Sequence, residues 1–165
     1  MASKAIVGVV MGSDSDLEIM TRCMKQLEAF GIAAELRVIS AHRTPQVAHE
    51  YAATARDRGL KVIIAAAGMS AALSGVLAAV TTLPVIGVPI NSGPLNGIDA
   101  LLSTLQMPPG VPVGCMAIGA AGATNAAIFA AEILAVSDAA LAEKLAAFKA
   151  DQAEKVKAKD QSLRA

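Results

Sequence analysis

A histidine and an arginine stand side by side in the segment 40–45, directly after the strand-like stretch 33–39. Histidine side chains can both release and accept a proton near neutral pH, so His42 is a candidate general acid and base. The planar guanidinium of Arg43 offers several donors that fit a phosphate or a carboxylate. The pair therefore indicates an enzyme that moves protons on a phosphorylated small molecule.

Two further segments could contact such a molecule. In the segment 12–16, Ser13 and Ser15 could bind an anion at the start of a helix, and Asp16 could accept hydrogen bonds from ribose hydroxyls. The segment 66–70 has no charged side chain and suits a flat ring or a small trapped molecule. Each feature also has a structural explanation. The serines could simply cap a helix, 66–70 could be a tight turn without a ligand, and His42 could be a structural histidine of its loop.

These segments connect short β-branched stretches that alternate with helical stretches along the chain. The predicted strands are 5–11, 33–39, 62–66, 85–88 and 113–118. The predicted helices are 16–30, 46–58, 70–80, 95–105, 121–136 and 137–160. Thr44 and Pro45 are predicted to be the N-cap and first position of the second helix. His49, the only other histidine, is expected to face solvent from this helix.

Repeated strand–helix–strand units favour right-handed crossovers and a parallel sheet that is covered on both faces. This predicts an α/β, flavodoxin-like three-layer sandwich with a central parallel sheet and an extra C-terminal helix. Residues 1–165 are expected to form a single catalytic domain, in which the helix 137–160 contacts neighbouring subunits. Ligands bind beyond the carboxyl ends of such strands, where all three segments lie.

Charge and cysteine content argue against several classes of protein. The 14 Lys and Arg residues balance 14 Asp and Glu residues, so no net charge favours nucleic acid or an anionic membrane. Cys23 and Cys115 do not make a disulfide framework or metal site, and no secretory signal is recognised. We therefore expect reduced thiols in a cytoplasmic protein.

Apolar residues dominate the middle of the chain. Between Lys61 and Glu132 the only charged residue is Asp99. Repeated glycines and prolines cut this stretch into pieces that are mostly too short to span a bilayer, so no membrane partner is expected. The excess of apolar surface instead predicts a homo-oligomer.

The chain contains none of several familiar catalytic signatures. It has no GxxxxGK[ST] phosphate loop and no GxGxxG segment after the first strand. It has no metal-ligand spacing and no GxSxG element. We therefore expect no cofactor and no metal, and chemistry that relies on one histidine, backbone dipoles and the substrate's own electronics.

The three segments, together with 106–110 (QMPPG) and 118–122 (IGAAG), resemble the aminoimidazole ribonucleotide carboxylase/mutase family of purine biosynthesis. The resemblance covers about residues 6–134, and the segments 11–16 and 40–45 are specific to this family. It implies a flavodoxin-like fold and an octamer. The implied reaction converts N5-carboxyaminoimidazole ribonucleotide to 4-carboxyaminoimidazole ribonucleotide, by decarboxylation and recarboxylation with carbon dioxide held in the pocket.

The resemblance also implies residue roles. His42 is the general acid and base, and Ser13, Asp16 and Arg43 hold the ribose phosphate portion of the nucleotide. Small apolar walls, including Ala41 and Ala67, would retain carbon dioxide and exclude water. The remaining predicted substrate-binding residues are Ser15, Ser40, Gly68, Met69, Ser70, Ala72 and Leu73.

One loop departs from the family pattern. Bacterial mutases usually continue with His-Leu-Pro-Gly after the third strand, where this chain has Ala72-Leu73-Ser74-Gly75. Gly68-Met69-Ser70 is similar to the branch that carboxylates aminoimidazole ribonucleotide directly with carbon dioxide, whereas Arg43 and the segment 106–108 are mutase-like. The mutase is our interpretation, and the direct carboxylase is the alternative. A non-catalytic nucleotide- or flavin-binding module is a more distant alternative.

Overall fold

Five parallel strands form one sheet in the computed structural model, which describes residues 4–164. They are β1 (Val7–Met11), β2 (Ala34–Val38), β3 (Val62–Gly68), β4 (Val85–Ile90) and β5 (Gly114–Cys115). Their spatial order is β2-β1-β3-β4-β5, so the chain first moves to one side of β1 and then to the other. This order confirms the predicted α/β, flavodoxin-like fold. The reversal between β1 and β3 is where such sheets leave a crevice for ligands.

Six α-helices connect or follow the strands. They are α1 (Leu17–Phe30), α2 (Pro45–Thr54), α3 (Leu73–Ala78), α4 (Ile98–Leu105), α5 (Ala120–Ala135) and α6 (Ala139–Arg164). A 3-10 turn at Asp14–Asp16 precedes α1.

The inner strands are buried on both faces. Every residue of β1 and β4 is buried, as are the first five residues of β3. Because neighbouring side chains of a strand point to opposite faces, this burial requires a layer of helices on each side. On one face, Val10 and Ile63 belong to a cluster that includes Tyr51 of α2 and Leu77 of α3.

Three helices differ from their predicted bounds, and backbone conformation explains the start of one of them. α4 begins at Ile98 and not at residue 95, because Asn96 and Gly97 have φ angles of 50° and 87°. Those angles lie in the left-handed region and cannot belong to a right-handed helix. α2 ends at Thr54 and not at residue 58, and α3 begins at Leu73 and not at residue 70.

The last strand is much shorter than the predicted strand 113–118. Gly114 pairs with Ile86 and Cys115 with Gly87, and the Met116 amide still donates to the Gly87 carbonyl oxygen. The next donor required from β4 is the amide of position 89, which is a proline and has no N–H. The ladder therefore ends there.

The chain divides into two compact units, one up to Ala130 and one from Ala131 onward. In the second unit, α6 continues to Arg164, beyond the predicted end at residue 160. Its last turns contain the ion pairs Lys155–Asp151 and Arg164–Asp160 at i, i+4 spacing, which support a helix. Residues 1–3 and 165 of the predicted domain lie outside the described residues. Within residues 4–164, none of the helices combines the length and apolar character that crossing a bilayer requires.

Candidate active site

A cavity of about 580 Å³ opens beyond the carboxyl ends of β1, β2, β3 and β4. All the residues that the sequence predicted for the site line this one cavity. They are Ser13, Ser15, Asp16, Ser40, Ala41, His42, Arg43, Ala67, Gly68, Met69, Ser70, Ala72 and Leu73. Parallel strands bring these segments together because their carboxyl ends share one edge of the sheet.

The segment after β1 presents two hydroxyl groups and a carboxyl group. Ser13 Oγ accepts a hydrogen bond from the Ser15 amide at 3.3 Å, which caps the 3-10 turn. Ser15 Oγ in turn donates to Asp16 Oδ1 at 3.1 Å. Helix capping, the structural explanation, is therefore confirmed for Ser13, which also lines the cavity.

Asp16 is the buried titratable group of the cavity, with 5% of its surface exposed. Burial raises the pKa of this carboxyl above its ordinary value, and the nearby charge of Asp14 acts in the same direction. Its hydrogen bond from Ser15 acts in the opposite direction. A buried carboxylate favours additional donors, such as the hydroxyl groups of a sugar, since these replace the water that it has lost.

The segment after β2 is held by a short network of hydrogen bonds. Thr44 precedes α2 and Pro45 is its first residue, as predicted. The Thr44 hydroxyl, however, does not cap the helix. Thr44 Oγ1 accepts from the Ser40 amide at 3.1 Å and donates to the Ser40 carbonyl oxygen at 2.9 Å. The loop is thus closed on itself immediately before α2.

His42 and Arg43 extend from this closed loop into the cavity. The Arg43 guanidinium donates from Nη2 to the Gly12 carbonyl oxygen at 3.2 Å and from Nε to Ser40 Oγ at 3.4 Å. These contacts orient the guanidinium toward the segment after β1. The His42 side chain is exposed, and both ring nitrogens remain available to a ligand. His49 is exposed on α2 and does not line the cavity.

The segment after β3 begins later than predicted, because the strand continues through Ala67 and Gly68. Met69 has a φ angle of 53°, which lies in the left-handed region. This backbone conformation is strained for a residue other than glycine. Ala72, the first residue of the loop that departs from the expected family pattern, also lines the cavity. This wall therefore offers small apolar groups and the Ser70 hydroxyl.

Two lining residues were absent from the predicted set. Gly12 follows β1 and supplies the carbonyl oxygen that orients Arg43. Ser92 follows β4, in a segment for which the sequence predicted no role. The rule that ligands bind at the carboxyl ends of strands applies to β4 as well, and it would have found Ser92.

The lining contains one general acid–base candidate, one cation and one buried carboxyl group: His42, Arg43 and Asp16. Within residues 4–164, no three His, Cys, Asp or Glu side chains are grouped so that they could hold a metal ion. The arrangement can bind an anion at Arg43, accept sugar hydroxyls at Asp16, and transfer a proton at His42.

Comparison with known proteins shows the family of this chain. The model of the AIR carboxylase family matches residues 6–155. An N5-carboxyaminoimidazole ribonucleotide mutase from Pyrococcus abyssi is 56% identical over 145 residues, which are 88% of this chain and 82% of that protein. The mutase of the same name from Bacillus subtilis is 56% identical over 140 residues, 85% of this chain and 86% of its own.

A solved structure shares the whole fold. The crystal structure of Treponema denticola PurE superposes with a TM-score of 0.83 at 31% sequence identity, and the match covers 96% of this chain and 98% of that one. The match of the family model and the identity to these relatives extend over most of the chain. This protein therefore belongs to the AIR carboxylase family.

Proposed function

We propose that this protein is an N5-carboxyaminoimidazole ribonucleotide mutase, an isomerase that forms 4-carboxyaminoimidazole ribonucleotide in purine biosynthesis. The observation that carries the proposal is the placement of His42, Arg43 and Asp16 around one cavity, in a chain 56% identical to a mutase from P. abyssi. A phosphorylated ribonucleotide offers a partner to each: its phosphate to Arg43, its ribose hydroxyls to Asp16, and its base to His42.

The proposed roles follow from the chemistry of each group. Arg43 presents a planar set of donors whose direction is set by Gly12, and such donors bind a phosphate in two places at once. Ser13 and Ser15 add two hydroxyl groups, whose protons are donated to Asp14 and Asp16 in the free protein and would turn to the phosphate when it binds. Asp16 is buried and already accepts hydrogen bonds from the Ser15 hydroxyl and the Ser13 backbone, and its carboxylate has lone pairs left to accept from ribose.

In the proposed reaction His42 gives up one proton and later takes one back. His42 donates it to the exocyclic nitrogen as the N–C bond of the carbamate breaks and carbon dioxide is released. The electron-rich C4 of the imidazole then attacks carbon dioxide, forming the new C–C bond. His42 removes the proton from C4, which restores the aromatic ring and returns the histidine to its starting state. Neither ATP nor a cofactor enters this balance.

The cavity wall supports the retention of carbon dioxide. Ala41, Ala67, Ala72 and Leu73 line it with small or apolar groups, which neither bind water strongly nor react with carbon dioxide. A second histidine at position 72 is not part of the proposed proton cycle, because one group serves first as acid and then as base. Ala72 is therefore compatible with the proposed reaction.

An isotope experiment tests this function directly. The enzyme receives N5-carboxyaminoimidazole ribonucleotide that is labelled with ¹³C in its carboxylate, in an excess of unlabelled bicarbonate. We expect the label to be retained in 4-carboxyaminoimidazole ribonucleotide, because the carbon dioxide never leaves the pocket. Loss of label, with rapid product formation from aminoimidazole ribonucleotide and dissolved carbon dioxide, would instead identify a direct carboxylase. Absence of product from both substrates would refute the proposal.

We further propose that the protein acts in the cytoplasm as a homo-octamer. The free thiols Cys23 and Cys115 agree with a reducing compartment. The surface of α4 and the segment before it supports the oligomer: Leu95, Ile98, Leu102 and Leu105 are 59%, 53%, 50% and 56% exposed. Ile98, Leu102 and Leu105 are spaced along one helix face, and a row of half-exposed large apolar side chains is typical of an interface.

The proposal includes one catalytic domain and a contact between α6 and a neighbouring subunit. Val156 and Leu163 are exposed apolar residues seven positions apart, so they lie on the same side of α6. Light scattering should give a mass eight times that of the 16.7 kDa chain. The double variants Ile98→Glu/Leu102→Glu and Val156→Glu/Leu163→Glu should lower this mass, and the exposed control Lys25→Glu should not. A wild-type monomer at micromolar concentration would contradict the octamer.

A further inference from the structure

Ser92 follows β4 and lines the cavity, and the position of its side chain depends on a glycine of β3. Ile90, the last residue of β4, is paired in register with Gly68 of β3. The Ser92 amide donates to the Ile90 carbonyl oxygen at 2.9 Å, a tight turn that folds the chain back over the end of β3. A Cβ atom on Gly68 would collide with Ser92 Oγ. The hydroxyl therefore occupies space that only glycine leaves open.

This hydroxyl is available to a ligand. Ser92 is half-buried at the cavity wall, and Ser92 Oγ takes part in no hydrogen bond within residues 4–164. A partly buried hydroxyl without a partner gains by meeting a ligand group, because its hydration is already incomplete. Ser70, the other hydroxyl on this side, is exposed and can remain bonded to water.

The order of the strands places Ser92 opposite the anion site. Arg43 follows β2, whereas Ser92 follows β4, and β1 and β3 lie between them. Strands are spaced about 4.8 Å apart, so the two strand ends are separated by about 14 Å. That distance suits the two ends of a ribonucleotide monophosphate. If the phosphate lies at Arg43, the base and its carboxylate point toward Gly68 and Ser92.

We propose that the Ser92 hydroxyl donates a hydrogen bond to the substrate carboxylate that is transferred, an inference that rests on the proposed mutase function. Arg43 is the only Lys or Arg among the cavity-lining residues, so the carboxylate end is left with hydroxyl and backbone donors. The Ser92 hydroxyl is an uncharged donor. It suits the substrate carboxylate, which must become uncharged carbon dioxide and then an anion again. A cation would stabilise the carboxylate at both ends of the reaction and so raise the barrier to its departure.

Binding of two nucleotides distinguishes this role from general damage to the pocket. Calorimetry measures the affinity of wild type and Ser92→Ala for 4-carboxyaminoimidazole ribonucleotide and for aminoimidazole ribonucleotide, which lacks the carboxylate. We expect the variant to bind the first on the order of tenfold more weakly, because a hydrogen bond to a charged group is lost, and to bind the second unchanged. Ser162→Ala removes an exposed hydroxyl of α6 and should change neither affinity.

Two further variants complete the test. Gly68→Ala should reproduce the loss for the carboxylated nucleotide by displacing Ser92 Oγ, and it should add little in the Ser92→Ala background. The inference would be overturned if Ser92→Ala lost equal affinity for both nucleotides or kept wild-type affinity for both. It would also be overturned if Ser70→Ala, and not Ser92→Ala, lost affinity only for the carboxylated nucleotide. Failure of the wild type to bind either nucleotide would instead refute the mutase function on which the inference rests.

Discussion

Arg43 is bonded to Gly12 across the cavity, with 3.2 Å between Arg43 Nη2 and the Gly12 carbonyl oxygen. The two residues follow different strands, β2 and β1, and are 31 positions apart in the chain. A second donor of the guanidinium, Nε, is bonded to Ser40 Oγ at 3.4 Å, so the side chain is held from both strand ends. The contact therefore links the segments after β1 and β2 into one wall of the cavity.

Replacing Arg43 with lysine tests the proposed phosphate contact of the guanidinium. We expect Arg43→Lys to weaken binding of the substrate nucleotide by about tenfold, because an ammonium keeps the charge but cannot bond Gly12 and a phosphate in one plane. Calorimetry with the nucleotide measures the effect. The control Arg22→Lys changes an exposed arginine of α1 and should leave affinity unchanged. Equal affinity of wild type and Arg43→Lys would refute the phosphate role.

The two histidines provide a matched pair for testing proton transfer. His42→Asn should reduce kcat by at least about 100-fold with KM changed little, because general acid–base catalysis contributes about this much and asparagine cannot exchange the proton. His49→Asn, on the exposed face of α2, should keep wild-type kinetics. Unchanged turnover in His42→Asn would remove this residue from the mechanism.

Asp16 should contribute less to the free energy of unfolding at neutral pH than at acidic pH. Burial raises the pKa of its carboxyl above the ordinary value of 3.8, so the native state holds this proton more tightly than the unfolded chain does. The free energy of unfolding contributed by this group is therefore greatest below pH 3.8 and falls as the pH rises through the raised native pKa.

Asp16→Asn removes this titration while keeping the shape of the side chain. We expect the variant to be more stable than wild type at about pH 7, with the difference disappearing toward about pH 3.5. Urea unfolding at a series of pH values measures it. Activity should fall on the order of tenfold, since the amide accepts weaker hydrogen bonds from ribose. A stability difference that grows as the pH falls would contradict the raised pKa.

Close packing between Gly8 and Tyr51 should show strong coupling. Tyr51 Oη donates to Glu35 Oε1 at 2.8 Å, and a Cβ atom on Gly8 would collide with that hydroxyl. Gly8→Ala should therefore cost about 2 kcal/mol of stability, as overpacking does. Tyr51→Phe alone should cost about 1 kcal/mol through the lost hydrogen bond.

The double variant Gly8→Ala/Tyr51→Phe identifies the cause of this loss. Removal of the hydroxyl relieves the collision with the new Cβ atom. The double variant should therefore be about 1 kcal/mol more stable than the sum of the two single effects predicts. Denaturant unfolding of all four proteins gives the coupling energy. Strict additivity would show that Gly8 is required for a reason other than the space taken by Tyr51.

The amino-acid sequence by itself determined the order of elements and the segments that carry the chemistry. Alternating apolar strands and helices are local patterns, and they predict a parallel sheet whose ligands bind at the carboxyl ends of the strands. The segments 12–16, 40–45 and 66–70 could be chosen on that basis. The exposure of His49 followed from its position on the helix.

Only the tertiary structure decided contacts between residues distant in the chain. The end of β5 depends on which strand lies beside it, because the missing N–H of Pro89 matters only to that neighbour. The burial of Asp16, the bond between Arg43 and Gly12, and the approach of Ser92 to Gly68 depend on how loops meet in space. No periodicity or local propensity encodes such distances, since they arise from the packing of the whole sheet.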